Sequence, residues 1–182
     1  MSVLSPIDPS AATDQTKQLL DGLQQRLGRI PNMIRVMAHS PAALDGYLDF
    51  TYAMQRTKLS ASLRNQLALV VAEATGSRYF LALAEALSRR DGLGPEEIAA
   101  ARRAESRDPG ARAALRFAAL MVQQRGHLPT DEAATLREAG FSDEQLVEIV
   151  ALVGLNVFRG YFNLALGTEL DAPPARAGVE GR

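Results

Sequence analysis

The side chains able to do covalent or acid–base chemistry are few in this 182-residue sequence, and their spacing suits no familiar catalytic set. There is no cysteine. Disulfides, cysteine-ligated zinc and thiolate catalysis are therefore excluded by composition alone. The two histidines, His39 and His127, are far apart, and neither stands in an i, i+4 pair or a His-Glu spacing suited to a metal. No metal site and no cofactor is expected. His39 precedes Ser40-Pro41 and reads as a turn or interface residue, and His127, between Gly126 and Pro129, reads as loop. Tyr79 and Tyr161 read as packing groups with satisfied hydroxyls.

The elements that must position these groups are helices. Ala, Leu, Glu, Arg and Gln dominate, and no stretch shows the period-2, β-branched pattern of a strand. An all-α fold follows. Leu19, Leu20, Leu23 and Leu27 stand at helical spacing in a first helix over 14–27, which Gly28 ends. Ile30-Pro31 breaks the chain. A short helix follows over 33–38, and Ser40-Pro41 opens one over 41–56. Ser60 caps a helix reaching Thr75, whose centre LALVVA is apolar all round and so belongs inside the bundle. Gly76-Ser77 is a break, and helices are expected over 77–91, from Pro95, over 109–124 and over 130–139. Ser142 with Gln145 forms a capping box for a last helix to about Ala165, with an interruption at Arg159-Gly160.

Residues 1–13 read as an extended arm, 14–171 as a single helical domain and 172–182 as a disordered tail. The formal net charge is −1, which leaves no electrostatic footprint for nucleic acid or an anionic membrane. The longest apolar runs, 67–72 and 149–155, fall short of the roughly 20 residues a membrane span needs. The start MSVLSPIDPS lacks the features of a signal peptide, and a cytoplasmic protein is expected. A quasi-repeat is also visible. Shifted by 82 residues, segment 59–80 lies over 141–162, with both cap serines, the apolar positions and a closing Tyr-Phe in register. Two such helices predict a pseudo-symmetric bundle.

Segment 63–98 resembles the carboxymuconolactone decarboxylase superfamily, the alkylhydroperoxidase D-like fold. The resemblance rests on Arg64-Asn65 before an apolar helix, Gly76-Ser77-Arg78-Tyr79-Phe80, and the turn Gly94-Pro95-Glu96-Glu97-Ile98. Gly28-Arg29-Ile30-Pro31-Asn32-Met33 with His39-Ser40-Pro41, and the stretch 139–163, are similar to the peroxidase-related branch. The likeness covers about 27–171.

The resemblance implies an alkylhydroperoxidase D-like helical bundle, a homo-oligomer, and a site at four positions. There, the family's proton-relay glutamate falls on Asn65, its two cysteines on Ser77 and Phe80, and its histidine on Ala84. In active members a thiolate at a helix N-terminus does the chemistry. None of the four residues here can replace it: Ser77 has no adjacent base to make its hydroxyl a nucleophile. The expectation is a family member that is not a working thiol peroxidase, one that binds a small apolar or carboxylate ligand or is inactive. Asn65, Ser77, Arg78, Phe80 and Glu85 are the ligand-binding candidates. Ser77 reads first as a helix cap, Asn65 as a polar group bonded within the bundle, and Glu73 and Glu85 as solvated acids. Arg78 is the candidate partner for an anion. Phe80 is expected to fill the site and make it more apolar. Two other readings stand beside this one. The first is a cofactor-independent decarboxylase-like enzyme using Arg78, Glu85 or His127. The second is a homo-oligomeric structural or interaction protein.

Overall fold

The structure is a computed structural model, and it describes residues 2–129 and 131–171. The expected tail, 172–182, lies outside them. Among the described residues there are nine α-helices, one 3₁₀ turn and no strand. They are α1 Asp14–Leu27, α2 Asn32–Met37, α3 Pro41–Met54, α4 Ala61–Thr75, α5 Arg78–Arg90, α6 Pro95–Arg102, α7 Pro109–Gln123, α8 Asp131–Glu138 and α9 Asp143–Leu166.

The caps fall where hydroxyls and glycines stand in the sequence. Ser40, Ser60, Ser77 and Ser142 each accept a backbone N–H at the head of a helix. Gly28, Gly76 and Gly167 close helices in the left-handed region, which glycine enters without steric cost.

The wholly apolar α4 lies at the centre, packed against α5, α6, α7 and α9. Leu67, Leu69, Val71 and Ala72 are fully buried there, with Leu115 and Ala118 of α7 and Ile149 and Val153 of α9. A second core gathers Leu20 and Leu23 of α1, Met33 and Met37 of α2, Leu44 and Leu48 of α3, and Tyr79 of α5. The arm ahead of α1 is not wholly extended, since Pro9–Ala11 forms a 3₁₀ turn capped by Asp8. It is stitched down by Val3 N–H to Leu166 O (2.9 Å) and Ile7 N–H to Arg35 O (3.2 Å).

The helix α9 departs from expectation. Arg159-Gly160 does not interrupt it, and all 24 residues are helical. Gly160 is there for closeness: a Cβ at that position would stand 2.5 Å from Thr75 Oγ1 and 2.8 Å from Thr75 Cβ. By length and mean hydropathy (1.5) this helix meets the requirements of a membrane span, although its apolar runs are individually short. In the fold it packs on α3, α4, α5 and α7.

The quasi-repeat is also only partly structural. The helices α4 and α9 are capped alike and pack against each other. Gly76, however, breaks the first copy, whereas the second runs on through Phe158. Tyr79 is therefore buried on a new helix, and Tyr161 is exposed on a continuing one.

Candidate functional site

A cavity of about 570 Å³ lies where the two cores meet. Met33, Ile34 and Leu48 line it from one side, and Ala84, Leu152 and Leu155 from the other. Helices α1 and α2 give it apolar side chains, and α3, α4, α5 and α9 give it apolar and polar ones. Among the buried side-chain polar atoms without a partner, that of Asn156 belongs to this wall.

Arg159 of α9 is half-buried in this wall. Its Nε donates to Tyr47 Oη at 3.0 Å, its Nη1 to Asn156 Oδ1 at 2.9 Å and its Nη2 to Thr51 Oγ1 at 3.3 Å. Its guanidinium carbon lies 5.5 Å from the Tyr47 ring centroid and 6.0 Å from that of Phe80. All three acceptors are neutral, and no carboxylate pairs with Arg159 among the described residues. Asn156, only 1% exposed, faces the same cavity. Its oxygen must point toward the guanidinium donor, which fixes the amide orientation. Its Nδ2 is then a buried donor without an acceptor.

At the cavity's other end, Asn65 Nδ2 donates to Asp91 Oδ2 at 3.0 Å. Asp91 is held below the usual carboxylate range, chiefly by the Arg90 side-chain hydrogen bond and then by Asn65. Arg64 is fixed by a hydrogen bond to Leu59 O. Three arginines (Arg64, Arg90 and Arg159) and one aspartate line the cavity, so its walls carry net positive charge.

The structure brings together only some of the residues picked out by resemblance. Asn65, Phe80 and Ala84 line the cavity. Ser77 does not. It is buried as the N-cap of α5, and its Oγ accepts Phe80 N–H at 3.3 Å. Arg78 is exposed and apart from the cavity, because at the start of α5 it is turned by about 100° from Tyr79 and by about twice that from Phe80. Glu85 is turned away as well. Its carboxylate takes Arg89 Nη2 at 2.6 Å and Arg102 Nη1 at 3.0 Å, and Arg102 Nε also reaches Glu73 at 2.8 Å. This network ties α4, α5 and α6 together. Phe80 is buried as expected, but it lines the cavity without filling it. His39 is exposed, and its Nε2 lies 2.9 Å from Ser5 O, where it pins the arm. His127 is exposed.

No motif of the sequence contains Arg159, Asn156, Tyr47 and Thr51, and Arg159 reads there only as part of an expected helix interruption. Asn156 and Arg159 are three apart, in the mainly apolar stretch of α9 that follows Glu148. Polar groups at helical spacing in a mainly apolar stretch were the available signal.

A scan against protein-family models and a search of curated proteins return no match. Solved structures do match. A peroxidase-related protein from Silicibacter sp. TM1040 aligns with a TM-score of 0.83 at 21% identity, over 94% of this chain and 92% of that one. The chain has the alkylhydroperoxidase D-like fold. A peroxidase-related protein from Ralstonia eutropha JMP134, described as an alkylhydroperoxidase AhpD core, aligns at 0.82 and 19% identity over 93% and 92% of the two chains. The debrominase Bmp8, as a cysteine-to-alanine variant in complex with 2,3,4-tribromopyrrole, aligns at 0.79 and 23% identity over 94% and 93%. Among the described residues of this alkylhydroperoxidase D-like chain, no group of three or more His, Asp or Glu side chains is placed to hold a metal ion.

Proposed function

We propose that this protein is a member of the carboxymuconolactone decarboxylase and alkylhydroperoxidase D-like superfamily that binds a small molecule and is not a thiol peroxidase. The observation that carries the reading is the cavity at the seam of the two cores, lined by Asn65, Phe80 and Ala84 and by the unpaired polar groups of Asn156 and Arg159. The residues that would have to replace thiol chemistry are otherwise engaged or absent: Ser77 caps its own helix, and the chain has no cysteine. A debrominase of the same fold is known in complex with a small brominated ring, which supports a small-molecule role for such a cavity. The experiment is hydroperoxide reduction with a dithiol donor on metal-stripped protein. No turnover above the reagent blank is expected, and saturable turnover would refute the reading.

An enzyme using Arg78, Glu85 or His127 is disfavoured. Arg78 and His127 are exposed, and Glu85 is committed to Arg89 and Arg102. Assembly is a separate matter. Val147, Val150, Phe158, Tyr161 and Leu164 form an exposed apolar stripe along α9, with Val147 70% and Tyr161 56% exposed. Their spacing follows one helix face for roughly 25 Å at 1.5 Å per residue. This stripe supports a homo-oligomer built on α9.

A further inference from the structure

We infer that the ligand is a carboxylate with an apolar, ring-sized body, and that Arg159 with Asn156 binds its anionic head. This rests on the cavity-binding reading above and names the class of molecule it takes.

The first support is an unmet electrostatic need. A guanidinium has five N–H donors. Three are used on Tyr47, Thr51 and Asn156, leaving one on each terminal nitrogen without an acceptor among the described residues. Arg159 bonds neutral oxygens only, as Arg64 in the same wall also does. A half-buried cation without a counter-ion costs free energy that an arriving anion offsets.

The second support is independent of charge. The Asn156 amide is turned by Arg159 so that Nδ2 remains a buried, unpaired donor in the wall of the same cavity. Buried donors are rarely left unmade in folded proteins. Guanidinium N–H groups beside an amide N–H form a set of donors only, which suits an acceptor-only group such as a carboxylate. The Tyr47 hydroxyl, which accepts from Arg159, still has its own proton to give.

The rest of the cavity defines the body. Phe80, Leu83, Leu152 and Leu155 surround it with apolar surface, and about 570 Å³ suits a molecule of one or two rings. Arg64 and Arg90 add positive potential at the far end, only partly offset by Asp91.

The test is calorimetric titration of the full chain with 2-naphthoate and, separately, 2-naphthamide, which has the same body and no charge. Wild-type protein should bind naphthoate at least about tenfold more tightly, the scale of a hydrogen bond to a charged group. The preference should vanish in Arg159→Met. It should also vanish in Asn156→Asp, a near-isosteric change that places a carboxylate beside Nη1 and satisfies the guanidinium from within. That variant retains Arg159, so it keeps the test open if Arg159→Met fails to fold; circular dichroism establishes folding for both. Equal affinity for the two probes, or a preference that survives in the folded variants, would overturn the carboxylate assignment and leave cavity binding standing. Absence of binding by both probes at millimolar concentration would overturn both.

Discussion

The Tyr79 hydroxyl donates to Asp171 Oδ2 at 2.7 Å while accepting Met33 N–H at 3.1 Å. One buried side chain on α5 thus holds the first turn of α2 and the segment that follows α9. Asp171 also receives Asn32 N–H at 2.7 Å and lies 3.5 Å from Arg29. The wall of the cavity formed by α2 is therefore anchored through Tyr79.

Removing that hydroxyl should be costly and should alter the alkaline stability. Tyr79→Phe leaves a helix-terminal N–H buried without its acceptor, a loss of about 1–3 kcal/mol, read as a fall in thermal midpoint of about 2–4 °C per kcal/mol. Burial above all, then the bond to Asp171, pushes the Tyr79 hydroxyl well above the ordinary tyrosine value; the Met33 bond opposes this. A group raised by folding contributes stability below its unfolded value, about 10, and loses it as pH rises beyond that toward the folded value. The wild type's advantage over Tyr79→Phe should accordingly narrow above about pH 10 in chemical denaturation. A gap that stays constant to high pH would contradict the assignment.

Gly160 should tolerate no side chain. Its Cα faces Thr75, and an added Cβ would lie within 3.0 Å of three Thr75 atoms. Gly160→Ala should cost about 1–3 kcal/mol by forcing α4 and α9 apart, even though alanine favours helix. Pairing it with Thr75→Ala should restore only part of the loss, because Thr75 Cβ itself would stand 2.8 Å away. Urea midpoints of the single and double variants measure this. A stabilised Gly160→Ala would mean that the two helices are not so close.

If α9 joins subunits, its apolar stripe should govern the oligomer. Light scattering should give a mass above the 19.6 kDa of one chain. Tyr161→Asp, which places a charge on the exposed stripe and away from the cavity wall, should shift the protein toward monomer with little change in fold. A monomeric wild type would dismiss the stripe as an interface.

The sequence by itself determined the helices, because their signals are local. Ser60, Ser142 and the glycines at 28, 76 and 167 bond or bend within a turn of their own position. The all-round apolarity of α4 required burial wherever its neighbours came from, and the resemblance led to the right fold. That the sequence holds no cysteine is likewise read without any coordinates. Local signals misled where two readings of one residue competed. Gly160 reads as a helix breaker, but at a buried helix position a missing Cβ also permits close approach, and packing on Thr75 decides the matter.

What only the tertiary structure decided was which polar groups meet. Arg78 and Glu85 flank the positions that the resemblance pointed to, yet one residue of helix rotates a side chain by about 100°, and both turn away from the cavity. Arg159 finds Tyr47 and Thr51 across more than a hundred residues of chain. Such a meeting depends on how α3 packs on α9, a relation between distant segments that no local spacing encodes.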